Sequence, residues 1–427
     1  MNRMFLVLPL LACAHSPEGP RTEDLELHRR AVVVDTHSDV TQAIAYEGYD
    51  FAQRHDFLHE DLPRAREGGL DAQFFSIWIN PETVKPDAWF AESVRQIEAV
   101  QGMARKNQAT VALARTAADV RANAARGVFS VLFGVEGGHS LLPGSEGEQL
   151  EHLRRFAQLG ARYMTLTWSN SNPIGGASGD EGERVGLTPF GRRVIEEMER
   201  LGIVVDMSHV SDPLFWDAIR AVKKPVIASH SSARALANVP RNMTDAMIKA
   251  VGANGGAVCV NFFSGFLDGA HFESAKKYFP QMKTMSPAEA QRFLKDKNLP
   301  PVSLARLADH VDHIVKLTGP DHACLGSDFD GIPTTPTGME DASRLPNLTA
   351  ELRRRGYTPE QLEKILGGNV LRVMEASERG TALVSQASTA RTEGAPSPTS
   401  GSRSDRAGAH RAAASSRTAP GPCALAR

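Results

Sequence analysis

The sequence predicts an α/β fold, a (β/α)8 barrel of the TIM type. Two observations lead there. Between residues 25 and 380, eight short apolar runs rich in β-branched residues alternate with longer amphipathic stretches, the count such a barrel needs. Most of those runs close on a histidine or a carboxylate, and in a barrel the strand ends converge on one face, where sites are built.

The runs are 31–39, 72–80, 130–136, 162–168, 203–209, 225–230, 257–262 and 323–328. Their hydrophobicity is nearly continuous, as it is for strands covered on both faces of a parallel sheet. The clearest helix is 189–201 (PFGRRVIEEMERL), with Thr188 as its N-cap and Gly202 beyond its end. A doubly wound open sheet is the main competitor, but no GxGxxG fingerprint follows the first run. Residues 264–300 make a long excursion after the seventh run and could shape a lid.

With 427 residues, 41% of them hydrophobic and 23% charged, the chain is of ordinary globular composition. It is long enough to bury a core without a disulfide framework. A net charge of −2 provides no basic field of the kind nucleic-acid binding needs. The four cysteines, Cys13, Cys259, Cys324 and Cys423, form no CxxC pair, which argues against a cysteine metal site. Cys259 and Cys324 lie in apolar runs and read as buried thiols, with a bridge between them left open.

The bridge is left open because the N-terminus suggests export. Residues 1–12 (MNRMFLVLPLLA) have the basic start and short apolar core of a signal peptide. Leu10-Leu11-Ala12-Cys13 resembles a bacterial lipobox, which implies membrane attachment through a lipidated Cys13 in the outer membrane or periplasm. Residues 13–24 read as a tether and 25–380 as the barrel domain. Residues 381–427, rich in Ala, Ser, Arg and Pro, read as a disordered tail.

The polar residues at the run ends carry the chemistry. His37 and Asp39, two apart in Asp35-Thr36-His37-Ser38-Asp39, would share one face of a strand and hold a cation. Glu136 closes an apolar run before two glycines. A buried carboxylate there is costly unless paired or metal-bound, and its two oxygens could bridge two metals. His209 and His230 end successive runs. Asp328, in Gly326-Ser327-Asp328-Phe329-Asp330-Gly331, could orient or deprotonate an attacking water, while Asp330 could cap the following loop. His37, Asp39 and Glu136 would then serve one metal, and Glu136, His209 and His230 the other. Each set has three protein ligands with open positions, as a catalytic zinc site has, and a hydroxide could bridge the pair. Manganese or cobalt would suit the same donors.

These residues resemble the membrane (renal) dipeptidase family, peptidase family M19. The likeness runs over about residues 28–376 through DTHSD (35–39), GVEGGHS (134–140), RYMTLTWSNSN (162–172), GLTPFGRRVIEEMERLGIVVDMSHVS (186–211), ASHSSARAL (228–236), VPRNM (239–243), GSDFDG (326–331) and GGNVLRV (367–373). It implies a zinc-dependent dipeptidase with two Zn(2+) per chain, often tolerant of a D-residue at the second position. It also implies His37, Asp39, Glu136, His209 and His230 as metal ligands, Arg241 as receiver of the substrate carboxylate and Asp328 as the acid–base residue. A homodimer is compatible with this reading. The chain departs from the mammalian pattern at Trp168, where those relatives carry a substrate-binding histidine. An indole cannot donate in the same way, and Asn170 or Asn172 is a candidate substitute. Two other readings compete: a related barrel metallohydrolase acting on another amide or ester, and a non-hydrolytic binding or maturation protein that keeps the metal site. Trp168 alone favours the last.

Overall fold

Among the described residues nine parallel strands organise the chain: β1 (Val34–Ser38), β2 (Ala72–Trp78), β3 (Val111–Leu113), β4 (Phe129–Glu136), β5 (Ala161–Thr165), β6 (Val204–Asp206), β7 (Ile227–Ala228), β8 (Ala257–Val260) and β9 (Ala323–Leu325). Eight of them close into a ring in the order β1–β2–β4–β5–β6–β7–β8–β9, with β9 pairing back onto β1 and β2 pairing directly with β4. Helices lie between the strands, so the fold is the (β/α)8 barrel the sequence predicts. The structure is a computed structural model, and it describes residues 19–180 and 185–381. The segment read as a signal peptide, Cys13, and the segment from residue 382 read as a tail lie outside the described residues.

All eight apolar runs are ring strands. The ninth, β3, pairs with the start of β4, Val111 opposite Phe129 and Leu113 opposite Val131, and its three residues are too few to carry a readable pattern. The first described helix, Thr22–Arg30, begins inside the segment read as a tether, so the packed chain starts before residue 25. The helix Pro189–Leu201 has the expected ends: Thr188 accepts from the Gly191 amide and Gly202 is left-handed.

Of the two readings kept for Cys259 and Cys324, buried thiols or a bridge, the thiol reading is corrected and the bridge is formed. The two residues form a disulfide, because the β8–β9 register sets them directly opposite one another. Both are fully buried in the barrel.

The excursion 264–300 folds as short helices, from Ser264–Leu267 to Pro287–Lys295. It leaves the end of β8 and reaches the loop after β2, where the Asn80 side chain donates to the Lys283 carbonyl at 2.9 Å and Lys283 pairs with Glu82 at 2.9 Å. On the way it touches the loops after β9 and β1, through His271 to Thr334 at 3.0 Å and Gln291 to His59 at 3.2 Å, so it runs along the rim of the ring on that side.

Helix Thr22–Arg30 is tied down by His28, whose Nδ1 meets Thr349 Oγ1 and whose Nε2 meets the Gly68 carbonyl, each at 2.7 Å. Burial lowers the His28 pKa to about 4. The native chain therefore holds a neutral imidazole that the unfolded chain protonates near its ordinary value of about 6.5. That contribution is complete above about pH 6.5 and is lost as pH falls toward 4. His28→Asn should destabilise the protein by about 1–3 kcal/mol at pH 7.5. The gap to the parent, measured by denaturant unfolding, should narrow below pH 6 by up to ~1.4 kcal/mol per pH unit. A gap constant from pH 7.5 to 5 would contradict this account.

Candidate metal centre

Every residue singled out at a run end stands at the C-terminal face of the ring. His37 lies on β1 and Asp39 follows it. Glu136 closes β4, and His209, His230 and Asp328 follow β6, β7 and β9. The sequence-based runs extend too far at three of these ends. His209 (φ 67°) and Asp328 (φ 63°) adopt left-handed backbone, which ends the ladder early and turns each side chain over the mouth. That conformation costs of order 1–3 kcal/mol for a non-glycine residue and gathers at functional sites. Next to His37 the β1–β2 register slips, with Asp35 opposite Gln73 but Ser38 opposite Phe75, a bulge that re-aims the side chains beside it.

The side chains converge on Glu136, which is 3% exposed. Its Oε1 lies 2.9 Å from His209 Nε2 and 3.4 Å from His230 Nε2. Its Oε2 lies 3.4 Å from His37 Nε2 and accepts from Ser76 Oγ at 3.1 Å. His37 Nε2 is also 3.7 Å from Asp39 Oδ2 and 3.9 Å from Asp328 Oδ1. Among the described residues, two groups of three have donor atoms close enough to hold an ion: His37 with Glu136 and His230, and His37 with Asp39 and Asp328. Gly331 makes this crowding feasible, since a Cβ there would stand 2.1 Å from Asp39 Oδ2 and 2.6 Å from Asp328 Oδ1.

Two hydroxyl relays set the histidine tautomers. The Tyr163 hydroxyl donates to the Thr36 carbonyl at 3.0 Å and lies 2.7 Å from His37 Nδ1. Its single proton is committed, so His37 must donate from Nδ1 and point Nε2 at the carboxylates. Ser229 Oγ donates to Asp206 Oδ2 at 2.5 Å and lies 2.7 Å from His230 Nδ1, which orients His230 in the same way. Such outer partners commonly fix metal-binding imidazoles. Asp206 also accepts from the Ser229 amide at 2.9 Å, and Asp35 accepts from both the amide and the hydroxyl of Ser327, at 2.8 and 2.5 Å. Each of these carboxylates thus pins the residue just before a site residue on the neighbouring strand, His230 or Asp328. Asn261, after β8, donates to Asp328 Oδ2 at 2.8 Å. Asp330 ties down another loop, its Oδ1 accepting from the His59 amide at 2.5 Å.

The electrostatics call for positive charge at the centre. Burial works to raise Glu136, but His37, His209 and His230 hold it well below the ordinary carboxylate range. Burial works to lower His37, yet Tyr163, Glu136 and Asp39 push it well up. Burial, with Asp39 and Glu136 adding to it against His37, pushes Asp328 up to about 8. Protons thus take up the role of a cation among three buried carboxylates. Buried His37 Nε2, Asp39 Oδ1 and His209 Nδ1 have no hydrogen-bond partner, and His209 Nε2 and His230 Nε2 converge to 2.9 Å. Buried polar atoms are rarely left so, and this donor set of imidazoles and carboxylates fits a borderline divalent metal.

Arg241 follows β7. It donates to Ser231 Oγ and to the His230 carbonyl, each at 2.8 Å, and packs 5.6 Å from the centre of the Phe266 ring. Trp168 lies past the end of β5, 5.0 Å from the Trp78 ring and 6.3 Å from His209 between centroids. Asn172 does not replace the missing histidine: it donates to the Leu166 carbonyl and accepts from the Ile174 amide. Asn170 keeps a buried Oδ1 without a partner. Sequence reasoning missed Tyr163, Ser229, Asp206, Ser76, Asn261 and Trp78. Ser76, Asp206, Ser229 and Asn261 left a signal as polar residues inside otherwise apolar runs, whereas the aromatic Tyr163 and Trp78 left none.

The profile of the membrane dipeptidase family, peptidase family M19, matches residues 21–388. The chain belongs to this family. An uncharacterized dipeptidase of Schizosaccharomyces pombe is 33% identical over 374 residues, covering 83% of this chain and 82% of that protein. The structure resembles dipeptidase AC, an M19 metallopeptidase, with 28% identity, a TM-score of 0.68 and coverage of 81% of this chain and 98% of that one. It also resembles a metallopeptidase from Rhodobacter sphaeroides liganded with a phosphinate mimic of L-Ala-D-Ala, with 26% identity, a TM-score of 0.67 and coverage of 81% and 99%.

As a member of the M19 family the protein is a metal-dependent dipeptidase, a hydrolase of peptide bonds, and the cluster around Glu136 is the group of residues fit to hold its metal. Tyr163→Phe and Ser229→Ala should each weaken metal binding by about 10–100-fold, read by competition with a chelator, with the far-UV circular dichroism unchanged. If neither affinity moves, the hydroxyl relays do not orient the ligands.

Proposed function

We propose that the protein is a binuclear zinc dipeptidase, with His37, Asp39 and Glu136 holding one ion and Glu136, His209 and His230 the other. The observation that carries this reading is the division of Glu136, one oxygen toward His209 and His230 and the other toward His37. When bound, the metals supply Lewis-acid polarisation of the scissile carbonyl and acidify water. Asp328, steadied at Oδ2 by Asn261, takes a proton from the attacking water and returns it to the nitrogen of the departing amino acid. Arg241 receives the dipeptide carboxylate. Its Nε is buried without a partner, a donor that a carboxylate satisfies, and a guanidinium suits that planar anion. Tolerance of a D-residue at the second position is in keeping with the phosphinate mimic of L-Ala-D-Ala bound by the Rhodobacter relative.

We place the protein outside the cytosol, as a lipoprotein anchored at Cys13. The N-terminal pattern and the Cys259–Cys324 bridge support this, since such bridges persist in oxidising compartments.

Zinc-loaded protein should bind two ions per chain and cleave L-Ala-D-Ala, with the N-acetylated dipeptide a poor substrate. Glu136→Gln should lose at least one ion by metal analysis, together with activity. Arg241→Lys should keep both ions and raise KM by at least about tenfold, since one bidentate charged contact is worth about 1.5–3 kcal/mol. Failure to cleave any dipeptide in a stereochemically mixed library, with metal bound, would overturn the reading.

A further inference from the structure

The ring order assigns opposite sides of the mouth to the two ends of a dipeptide. Arg241 is tied to the His230 carbonyl and Ser231 in the loop after β7. In a closed ring of eight, β2 is four strands from β7 in either direction, so it faces Arg241 across the metal cluster. A dipeptide is short, with ~3.8 Å between its two Cα atoms. With its carboxylate on Arg241 and its peptide carbonyl at the cluster, its N-terminal residue is carried toward the β2 side.

That side ends in tryptophan. Trp78 closes β2 directly opposite Glu136 of β4 in register. Ser76, two residues earlier and on the same face of the strand, donates to Glu136, so Trp78 shares the face that meets the cluster. Its backbone is fixed at both groups: the amide donates to Gln96 Oε1 at 3.1 Å, and the carbonyl accepts from Gln96 Nε2 at 2.6 Å and Gln42 Nε2 at 2.9 Å. Trp168 leans on it from the loop after β5 and comes near His209 on its other side. Both indoles are half-buried, and Trp78 Nε1 is buried with no hydrogen-bond partner. The excursion 264–300 lands beside them, at Asn80 and Glu82.

We infer that Trp78 and Trp168 form the subsite for the N-terminal side chain, and that the preferred substrates are dipeptides with a large apolar or aromatic first residue. This rests on the dipeptidase reading and adds a substrate class to it. Position 168 then works as a specificity wall. A ring laid against two indoles gains area removed from water and aromatic contact that a glycine or a charged residue cannot match.

The test compares kcat/KM for X-D-Ala dipeptides with X as Gly, Leu, Phe, Lys or Asp. Phe and Leu should exceed Gly, Lys and Asp by about tenfold or more, the scale of a few buried methylenes. Trp168→Ala and Trp78→Ala should each lower the Phe-to-Gly ratio by about tenfold, and Trp168→Phe should preserve it within about threefold. In parallel, binding of phosphinate pseudodipeptides bearing Phe or Gly at the first position is followed by tryptophan fluorescence. Tighter binding of the Phe analogue, lost in Trp168→Ala, supports the subsite even if turnover is absent, in which case only the dipeptidase reading falls. Equal kcat/KM for Gly and Phe, or ratios unmoved by Trp168→Ala, would overturn the inference.

Discussion

Glu136 is a buried carboxylate shared among three imidazoles, and much of the barrel's upper face follows from the need to satisfy it. A lone carboxylate at this depth would be strongly disfavoured. Here His209 and His230 approach one oxygen, His37 and Ser76 the other. Asp39 and Asp328 then add negative charge that these groups alone do not balance. The surplus is what makes the cluster a cation cradle. It also explains why the surrounding shell is rich in hydroxyls and pinned carboxylates, which hold the cluster in place without adding a competing positive charge.

The residues of the cluster were legible because a barrel converts a one-dimensional signal into a three-dimensional one. A polar residue ending an apolar run is unremarkable once, but Asp39, Glu136, His209, His230 and Asp328 all do so, and parallel strands bring such ends together. The eight runs were legible for a related reason, since strands covered on both faces have no polar alternation to confuse with a helix. Where a run truly ends was not legible at His209 or Asp328. Their left-handed backbone is a conformation that His and Asp accept more readily than most side chains yet adopt only where the surrounding fold imposes it.

The outer shell was illegible for a different reason. Whether Tyr163 is a core aromatic or a histidine's partner depends on which atom of another strand its hydroxyl reaches, and Thr36 and His37 are far away in sequence. Ser229 lies beside His230 in the chain, yet its role depends on Asp206 one strand over. The Cys259–Cys324 bridge likewise needs the β8–β9 register. Trp78 is one apolar residue among others in the run 72–80, and only closure of the ring sets it across from Arg241.

Gly134 sits opposite Tyr163 in the β4–β5 register, and a Cβ there would fall 2.0 Å from the phenol ring. The absence of a side chain at one position is therefore what lets a phenol pass through the barrel interior to reach His37. Positions 134 and 163 form a lock and key within one chain, and neither can drift alone. Anyone transplanting this cradle onto another barrel would need to carry that empty place along with the visible donors, because a graft of the donors alone would leave His37 free to turn away.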